Sequence, residues 1–565
     1  MKIRFYSLIA TLLLSGCGLQ GIKTAPAEVS APPVYQAGEL NRESVYDLLV
    51  AEIAGQQQRF DLALANYLKQ ARLTADPGVA RRATRVAQYL RNTEAMMEAA
   101  ELWKNAEPQN AEPYQILASL LLHQKRYEEA LPLITQATED DPEQMLAIIR
   151  SQISAMPDRV AESYLTIVNQ QLNTQQQTPN LLITRGLLHA HLKQPHEALA
   201  AFDKALTIQP DNIDTITQKA EFLRTNDQYK AALLTIKPAL KRQPHNRQLQ
   251  VLYAQLLFQV RQHKAGLEIA KKLINENSKD YQLKFYLALL ILENRQLEEA
   301  AILLNELLKQ KPADSRPHYY LGAIAQQNGD IKRAIDHFMQ VNNPTTHYQA
   351  LSRISVLLDT PEDREQLTQI LADVRNTQPK LAARLYALEA EWLDLHGFEE
   401  AALVLMEDAL THFSNDINLL YTRAMLLEPH DFDRTEKDLR RILVLDPEST
   451  LALNALGYTL AVHTTRYDEA YKLIDQALSQ KPNDPAIIDS MGWVLFKLKR
   501  YQESVDFLTR AYTVVQDPEV TSHLIQAHWA LGNKDKALDL LTSGLSKDPD
   551  NNYLQEAAQA VEIPQ

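Results

Sequence analysis

A small set of aromatic and polar residues near the C-terminal end of the sequence has the types and spacing needed to hold an extended peptide. Trp493 and Phe496 lie about one helical turn apart in the string DSMGWVLF, which Asp489 begins. Asn454 and Tyr458 lie in a similar string upstream, NALGYTLA. Aromatic rings would supply contact area, and the amide and carboxylate would give hydrogen-bonding direction. Packing in a core would explain either aromatic alone, so both interpretations stay open.

Signatures of catalysis are absent from the sequence. There is no HExxH, no GxSxG and no phosphate-binding Gly-Lys-Ser/Thr loop. The nearest approach to a metal cluster is His189, His191 and His196. Residues two apart on a helix face different directions, so these histidines do not form a ligand set. We therefore expect a protein that is not an enzyme and needs neither a cofactor nor a metal.

The composition favours helices and disfavours a nucleic-acid partner. Only 15 of the 565 residues are glycine, well below the usual share of about 7%. Strands and tight turns use glycine freely, so the composition argues against an all-β fold. The formal net charge is −13, whereas a protein that binds a phosphate backbone needs an excess of basic residues. Nucleic acid is therefore a poor candidate for the partner.

Small residues and prolines recur at multiples of 34 residues. Two registers hold alanine or glycine, and a third holds proline in the same phase. The registers are Ala130, Ala198, Ala232, Ala300 and Ala334; Ala118, Gly186, Ala220, Ala254, Ala288 and Gly322; and Pro142, Pro210, Pro244 and Pro312. Two helices whose axes cross about 8–10 Å apart have no space for a large side chain at the crossing. The registers therefore indicate repeated helix pairs.

The pattern resembles the tetratricopeptide repeat (TPR), in which two antiparallel helices occupy each unit. The resemblance implies an all-α fold, a superhelical solenoid of antiparallel helix pairs. The phase is lost between about 343 and 379 and resumes near Ala401. We interpret the chain as two TPR arrays joined by an irregular segment.

The N-terminus resembles the lipobox of bacterial lipoproteins. The string LSGC ends at Cys17, the only cysteine, after two basic residues and an apolar run of about ten residues. The resemblance implies cleavage before Cys17 and lipidation of that cysteine with fatty acids such as palmitate. Gly18 follows where an Asp would mark inner-membrane retention, so the implied location is the periplasmic face of the outer membrane.

Six segments follow from these patterns. We predict a lipoprotein signal peptide over 1–16, and a lipidated cysteine with a flexible Pro/Ala-rich tether over 17–40. An N-terminal TPR array covers 41–342, an irregular helical junction 343–381, and a C-terminal TPR array 382–552. A capping helix and tail complete the chain over 553–565.

The first helices of such a solenoid line a concave surface that can receive a peptide or a partner helix. In the N-terminal array the positions that face this surface are apolar and form a stripe. The stripe could bind a peptide, and burial of the same residues by neighbouring units would explain their apolar character equally well. The stripe comprises Val251, Phe258, Phe285, Leu289, Leu292 and Tyr319. A second candidate partner face lies on the first helix, which no preceding unit covers: Val45, Leu48, Leu49 and Glu52. A simple cap would explain that face equally well.

Three short sequence strings indicate a more specific family within the TPR proteins. DPGVARRATRVAQYL at 76–90, with the two strings quoted above, resembles long TPR lipoproteins of gammaproteobacteria that serve as adaptors for a periplasmic carboxyl-terminal processing protease. The resemblance implies binding of that protease and of peptidoglycan hydrolases as its clients, with a lipid anchor to the membrane. The resemblance does not identify which residues of this sequence would contact those partners.

Two other functions remain to be distinguished from the adaptor. An assembly lipoprotein for a pilus secretin, an outer-membrane protein or a polysaccharide exporter is the alternative, although such lipoproteins are usually much shorter. An enzyme would need a catalytic domain outside the repeats, and the chain has no spare block of about 150 residues.

Overall fold

The computed structural model describes residues 41–138, 142–174, 177–428 and 430–561. Within those ranges the secondary structure consists of 31 α-helices and three short 3-10 turns, without a strand. Cys17, the predicted signal peptide and the tether lie outside the described residues. The chain forms two compact units, which divide at Leu273/Ile274 inside α14. Each unit is a run of helix pairs, and the all-α TPR solenoid predicted from the sequence is confirmed.

The helices of the first unit follow one another with short connections. They are α1 (Arg42–Gln56), α2 (Phe60–Thr74), α3 (Pro77–Tyr89), α4 (Thr93–Ala106), α5 (Ala111–His123), α6 (Tyr127–Ala137), α7 (Pro142–Gln152), α8 (Asp158–Thr174), α9 (Pro179–His191), α10 (Pro195–Ile208), α11 (Ile213–Thr225), α12 (Tyr229–Arg242), α13 (Arg247–Gln259) and α14 (His263–Glu276). A 3-10 turn, Ile153–Ala155, follows α7.

The second unit continues in the same manner. Its helices are α15 (Tyr281–Glu293), α16 (Leu297–Gln310), α17 (Arg316–Gln327), α18 (Ile331–Met339), α19 (His347–Leu357), α20 (Arg364–Thr377), α21 (Ala382–Leu395), α22 (Glu399–His412), α23 (Ile417–Leu427), α24 (Phe432–Leu445), α25 (Thr450–His463), α26 (Tyr467–Gln480), α27 (Pro485–Lys497), α28 (Tyr501–Val514), α29 (Pro518–Ala530), α30 (Lys534–Lys547) and α31 (Asn552–Ala560). Two 3-10 turns, Pro361–Asp363 and Pro379–Leu381, flank α20.

Local sequence explains where many of the helices begin. The side chains of Asn212, Asn246, Asp484 and Asp517 each accept a hydrogen bond from a backbone N–H of the first turn that follows. These caps satisfy donors that have no partner within the helix. The caps therefore fix the start of the first helix in each of these pairs.

The small-residue registers lie at the helix crossings. Ala130, Ala232 and Ala300, like the other alanines of their registers, have no solvent exposure. A Cβ added to Gly186 would come within 2.6 Å of the Phe202 ring. The period-34 pattern thus marks the positions where paired helices approach most closely, as the sequence predicted.

The stretch predicted as an irregular junction contains α19 and α20. Leu351, Ile354 and Leu371 of these helices are buried in a core that runs from Ala325 to Leu495 of the second unit. In that stretch α19 has only 11 residues and a 3-10 turn lies on each side of α20, which accounts for the loss of phase. The predicted array boundaries themselves stay a prediction.

None of the helices described is long and apolar enough to cross a membrane.

Candidate peptide-binding surfaces

The five residues singled out near the C-terminal end lie on α25 and α27 of the second unit, each of which is the first helix of its pair. Helix α29 packs beside them. Asn454 and Tyr458 project from α25, and Asp489, Trp493 and Phe496 from α27. We refer to these five, with Glu519 and His523 of α29, as the α25–α29 cluster. The structure therefore brings together all the residues of this prediction and adds two that sequence reasoning missed.

An aromatic stack forms the centre of the cluster. The Trp493 ring lies parallel to Phe496, with centroids 5.0 Å apart and an interplanar angle of 6°. The imidazole of His523 also stacks on Trp493, with ring centroids 4.1 Å apart and an interplanar angle of 19°. Nδ1 of His523 lies 3.0 and 3.1 Å from the two carboxylate oxygens of Asp489. Because a carboxylate at neutral pH only accepts, Nδ1–H is the donor in this pair.

A second polar contact links α25 to α29. The hydroxyl of Tyr458 donates to Oε1 of Glu519, across the intervening α27. Burial is the main reason that the pKa of Tyr458 is raised, and the carboxylate of Glu519 adds to it. Tyr458 therefore stays protonated and acts as a donor. The bond holds alternate first helices in a fixed arrangement.

The cluster is less open than the sequence suggested. Asp489 and Trp493 are only 6% and 7% exposed, whereas Asn454, Tyr458 and Phe496 are half-buried. Nζ of Lys497 lies 4.5 Å from the centre of the Trp493 ring, and burial lowers the pKa of that amine. The aromatic residues therefore act first as packing between successive repeats.

Two polar atoms of the cluster have no hydrogen-bond partner among the described residues. They are Oδ1 of Asn454 and Nε1 of Trp493, both without solvent exposure. An unpaired buried polar atom costs about 1–3 kcal/mol. Because neither atom is exposed, a bound segment could reach them only if the surrounding side chains moved.

The stripe residues on α15 and α17 lie in another part of the second unit. Phe285 is buried beneath the guanidinium of Arg316, 4.8 Å from the ring centre. Tyr319 is half-buried, and the guanidinium of Arg353 lies 5.5 Å from its ring. Leu289 and Leu292 are half-buried on α15. Arginine side chains thus cover the aromatic members of the stripe, and the two leucines remain partly accessible.

In the first unit the stripe residues have different environments. Val251 is half-buried on α13. Phe258 lies at the end of the same helix and is 1% exposed. Its ring packs against Gly266, where ring atoms would lie 3.2 Å from an added Cβ. The large ring fills the helix crossing because glycine stands opposite it. Phe258 is therefore a core residue at the crossing of α13 and α14.

Helix α1 presents an exposed apolar face. Val45 is 47% exposed and Leu49 56%, and Tyr46 and Ile53, which the sequence reasoning did not select, are 67% and 52% exposed. The opposite face, with Ser44 and Ala51, is buried against the following helices.

The other two predicted members of the α1 face are partly covered. Leu48 is half-buried against the core, and Glu52 is half-buried and forms an ion pair with Arg82 of α3. The exposed apolar face is thus Val45, Tyr46, Leu49 and Ile53, at i, i+1, i+4 and i+8 on one side of the helix.

Among the described residues, no group of three or more histidine, cysteine or carboxylate side chains has an arrangement that could hold a metal ion. Of the three histidines considered above, His191 lies with Nε2 2.9 Å from the carbonyl oxygen of Met156, and His189 lies with Nδ1 2.6 Å from Gln194.

Paired helices with small residues at their crossings, together with exposed or aromatic first-helix faces, define a helical-repeat scaffold of the kind that binds other proteins. A family model described as tetratricopeptide repeat matches residues 190–256. A TPR repeat-containing protein of Pseudomonas aeruginosa is 38% identical over 533 residues, which cover 92% of this chain and 89% of that protein. The chain therefore belongs to the tetratricopeptide-repeat family, which indicates a protein-interaction scaffold.

Solved structures show only a distant likeness. The Cut9–Hcn1 hetero-tetramer of APC/C matches with a TM-score of 0.34 and 13% identity, over 92% of this chain and 97% of that one. The Naa15/Naa10 complex bound to HypK-THB matches with a TM-score of 0.37 and 14% identity, over 86% and 72% of the two chains. The family assignment rests on the sequence relative and on the family model.

Proposed function

We propose that the protein is a non-enzymatic adaptor, anchored by lipid at Cys17 to the periplasmic face of the outer membrane. It binds a periplasmic carboxyl-terminal processing protease and presents peptidoglycan hydrolases to it for degradation. Family membership supports the scaffold role, and the resemblance of the strings at 76–90, 454–461 and 489–496 supports the choice of partner.

The exposed face of α1 is the observation that carries the proposal. Four large apolar side chains, each about half to two-thirds exposed, lie together on the first described helix. Apolar residues clustered on one exposed helix face mark a surface that another protein covers. A protease docked there would leave the helix pairs that follow free to hold a client.

A deletion strain tests the function directly. We expect peptidoglycan hydrolases to accumulate in that strain and to return to normal levels when the chain is restored. Unchanged hydrolase levels would refute the adaptor role. Loss of pili or capsule instead would favour the assembly-lipoprotein alternative.

Surface variants test the face. Leu49→Asp combined with Ile53→Asp places two charges on the exposed side of α1, and we expect it to abolish association with the protease in a pull-down. Ile302→Asp is the matched control, because Ile302 is a single apolar residue, 60% exposed, on α16. Circular dichroism confirms that both variants fold. If the α1 double variant still binds the protease, the docking face lies elsewhere, and the deletion strain alone decides the function.

A further inference from the structure

A short part of the first unit has a charge opposite to that of the whole chain. Residues 229–272, which span α12, α13 and most of α14, contain nine lysines and arginines and a single acidic residue, Glu268. The segment has a formal charge of +8, whereas the whole chain carries −13. Charge segregation of this kind creates a local positive potential that acts on partners at a distance.

The basic side chains lie on the exposed sides of α12 and α14. Lys230, Lys237 and Lys241 are exposed on α12 at i, i+7 and i+11, so they share one face over about 16 Å. Lys264 and Lys271 are exposed on α14 at i and i+7. Each of the two helices therefore presents a row of positive charge to solvent.

Most of these charges are not neutralised by the protein. Arg242 pairs with Asp211, with a nitrogen-to-oxygen distance of 2.6 Å. Five lysines, by contrast, form no ion pair within 4.0 Å with any part of the chain that the structure describes: Lys230, Lys237, Lys241, Lys264 and Lys271. Like charges so close together repel each other in the free protein, and an anionic partner would relieve that repulsion.

A groove lies beside the lysine row of α12. It is a cavity of about 280 Å³ lined by residues of α12, α13 and α14. Lys237, Lys241 and Lys272 form its rim, whereas the half-buried side chains of Leu240, Tyr253 and Ile269 give it an apolar lining. The groove thus combines positive charge at the edge with an apolar interior.

We propose that this groove binds an acidic segment of a protein partner, with glutamate or aspartate side chains on Lys237 and Lys241 and an apolar side chain in the cavity. Its apolar residues are recessed, and only Leu234, 72% exposed, projects from α12. A membrane surface would contact projecting apolar residues rather than recessed ones, which favours a protein segment. The surface shares no residue with α1 or with the α25–α29 cluster, so the inference stands whether or not the partner is a protease.

Binding of a defined peptide to the chain beginning at residue 18 tests the proposal. The probe is a fluorescein-labelled peptide of 12 residues, made of glutamate and leucine with the leucines at helical spacing. Its binding is measured by fluorescence anisotropy at 50 and 300 mM salt. The control peptide has serine in place of every leucine. We expect binding that weakens with salt, and weaker binding of the serine peptide, because it lacks the side chain that fills the cavity.

Charge reversal locates the site. Lys237→Glu combined with Lys241→Glu should slow association by about tenfold at low salt with little change in dissociation, as expected when rim charges steer an encounter. Lys204→Glu is the matched control, since Lys204 is an exposed lysine of α10 in the same unit. We expect this control to bind as the wild type does.

Several outcomes would overturn the proposal. Equal binding of the serine peptide or of a single-stranded oligonucleotide would show a general attraction of polyanions instead of a groove. Binding to vesicles with 30% phosphatidylglycerol but not to the peptide would make the surface a membrane contact. No binding to the peptide at 50 mM salt, or an unchanged association rate for the double variant, would refute it outright.

Discussion

Substitution of Gly457 by alanine tests whether the small-residue register fixes the helix crossings. Gly457 lies in α25 and faces α26. An added Cβ would lie 2.5 Å from Cγ1 of Ile474 and 3.0 Å from the backbone oxygen of Ala470. Ile474 has no solvent exposure, so its side chain cannot swing outward. Relief of the clash therefore requires the two helices to separate.

The expected magnitude follows from two opposing effects. Alanine in place of glycine inside a helix stabilises by about 1 kcal/mol. Overpacking a buried contact costs about 1–3 kcal/mol, and the upper end applies here because a backbone atom as well as a branched side chain must move. We therefore expect Gly457→Ala to destabilise the α25–α26 pair by about 2 kcal/mol.

Native-state hydrogen exchange is the appropriate assay, because repeat proteins open pair by pair and need not unfold in one step. A loss of about 2 kcal/mol predicts about 30-fold faster exchange of the α25 and α26 amides. Gly55→Ala is the matched control, since nothing lies within 4 Å of a Cβ built at Gly55 in α1. We expect it to slow exchange slightly through helix propensity alone. Unchanged or slower exchange in α25 and α26 of Gly457→Ala would refute the close-crossing argument.

Three further predictions concern the anchor, a histidine pair and a buried ion pair. Cys17→Ala should move the protein from the membrane to the soluble fraction on cell fractionation, and retention in the membrane would contradict lipidation. His318 and His337 lie with their Nδ1 atoms 3.0 Å apart, and burial lowers the pKa of both below the ordinary 6.5. The unfolded chain therefore binds protons more readily, so stability should fall as the pH drops below about 6.5, and His337→Gln should flatten that dependence in thermal melts. Glu389→Leu leaves the buried guanidinium of Arg375 without its carboxylate and should destabilise the second unit by about 3 kcal/mol in urea unfolding, whereas Glu389→Gln should cost less.

The sequence determined the repeat and the helix crossings because both depend on local and periodic features. Each crossing needs a small residue at a fixed distance along the chain, so positions such as Ala232 and Gly322 could be read from spacing alone. Caps such as Asp484 mark helix starts in the same way. The excess of lysine in 229–272 is also visible in the sequence.

Tertiary structure decided which of the candidate residues are accessible. Phe258 and Trp493 each lie on the first helix of a pair, yet Phe258 fills a crossing opposite a glycine and Trp493 stacks with Phe496 and His523. His523 comes 34 residues after Asp489, and that spacing was the only signal that could have joined them.

The physical reason is that exposure is not a property of a single repeat. A helix pair buries the face that the next pair covers, and the side chains of that next pair decide how completely it does so. Val45 and Leu49 remain exposed on α1, whereas on α27 the ring of Trp493 is stacked with His523 of α29. The sequence alone thus specified the repeating unit and its charge, and only the packing of neighbouring units determined which surfaces remain for a partner.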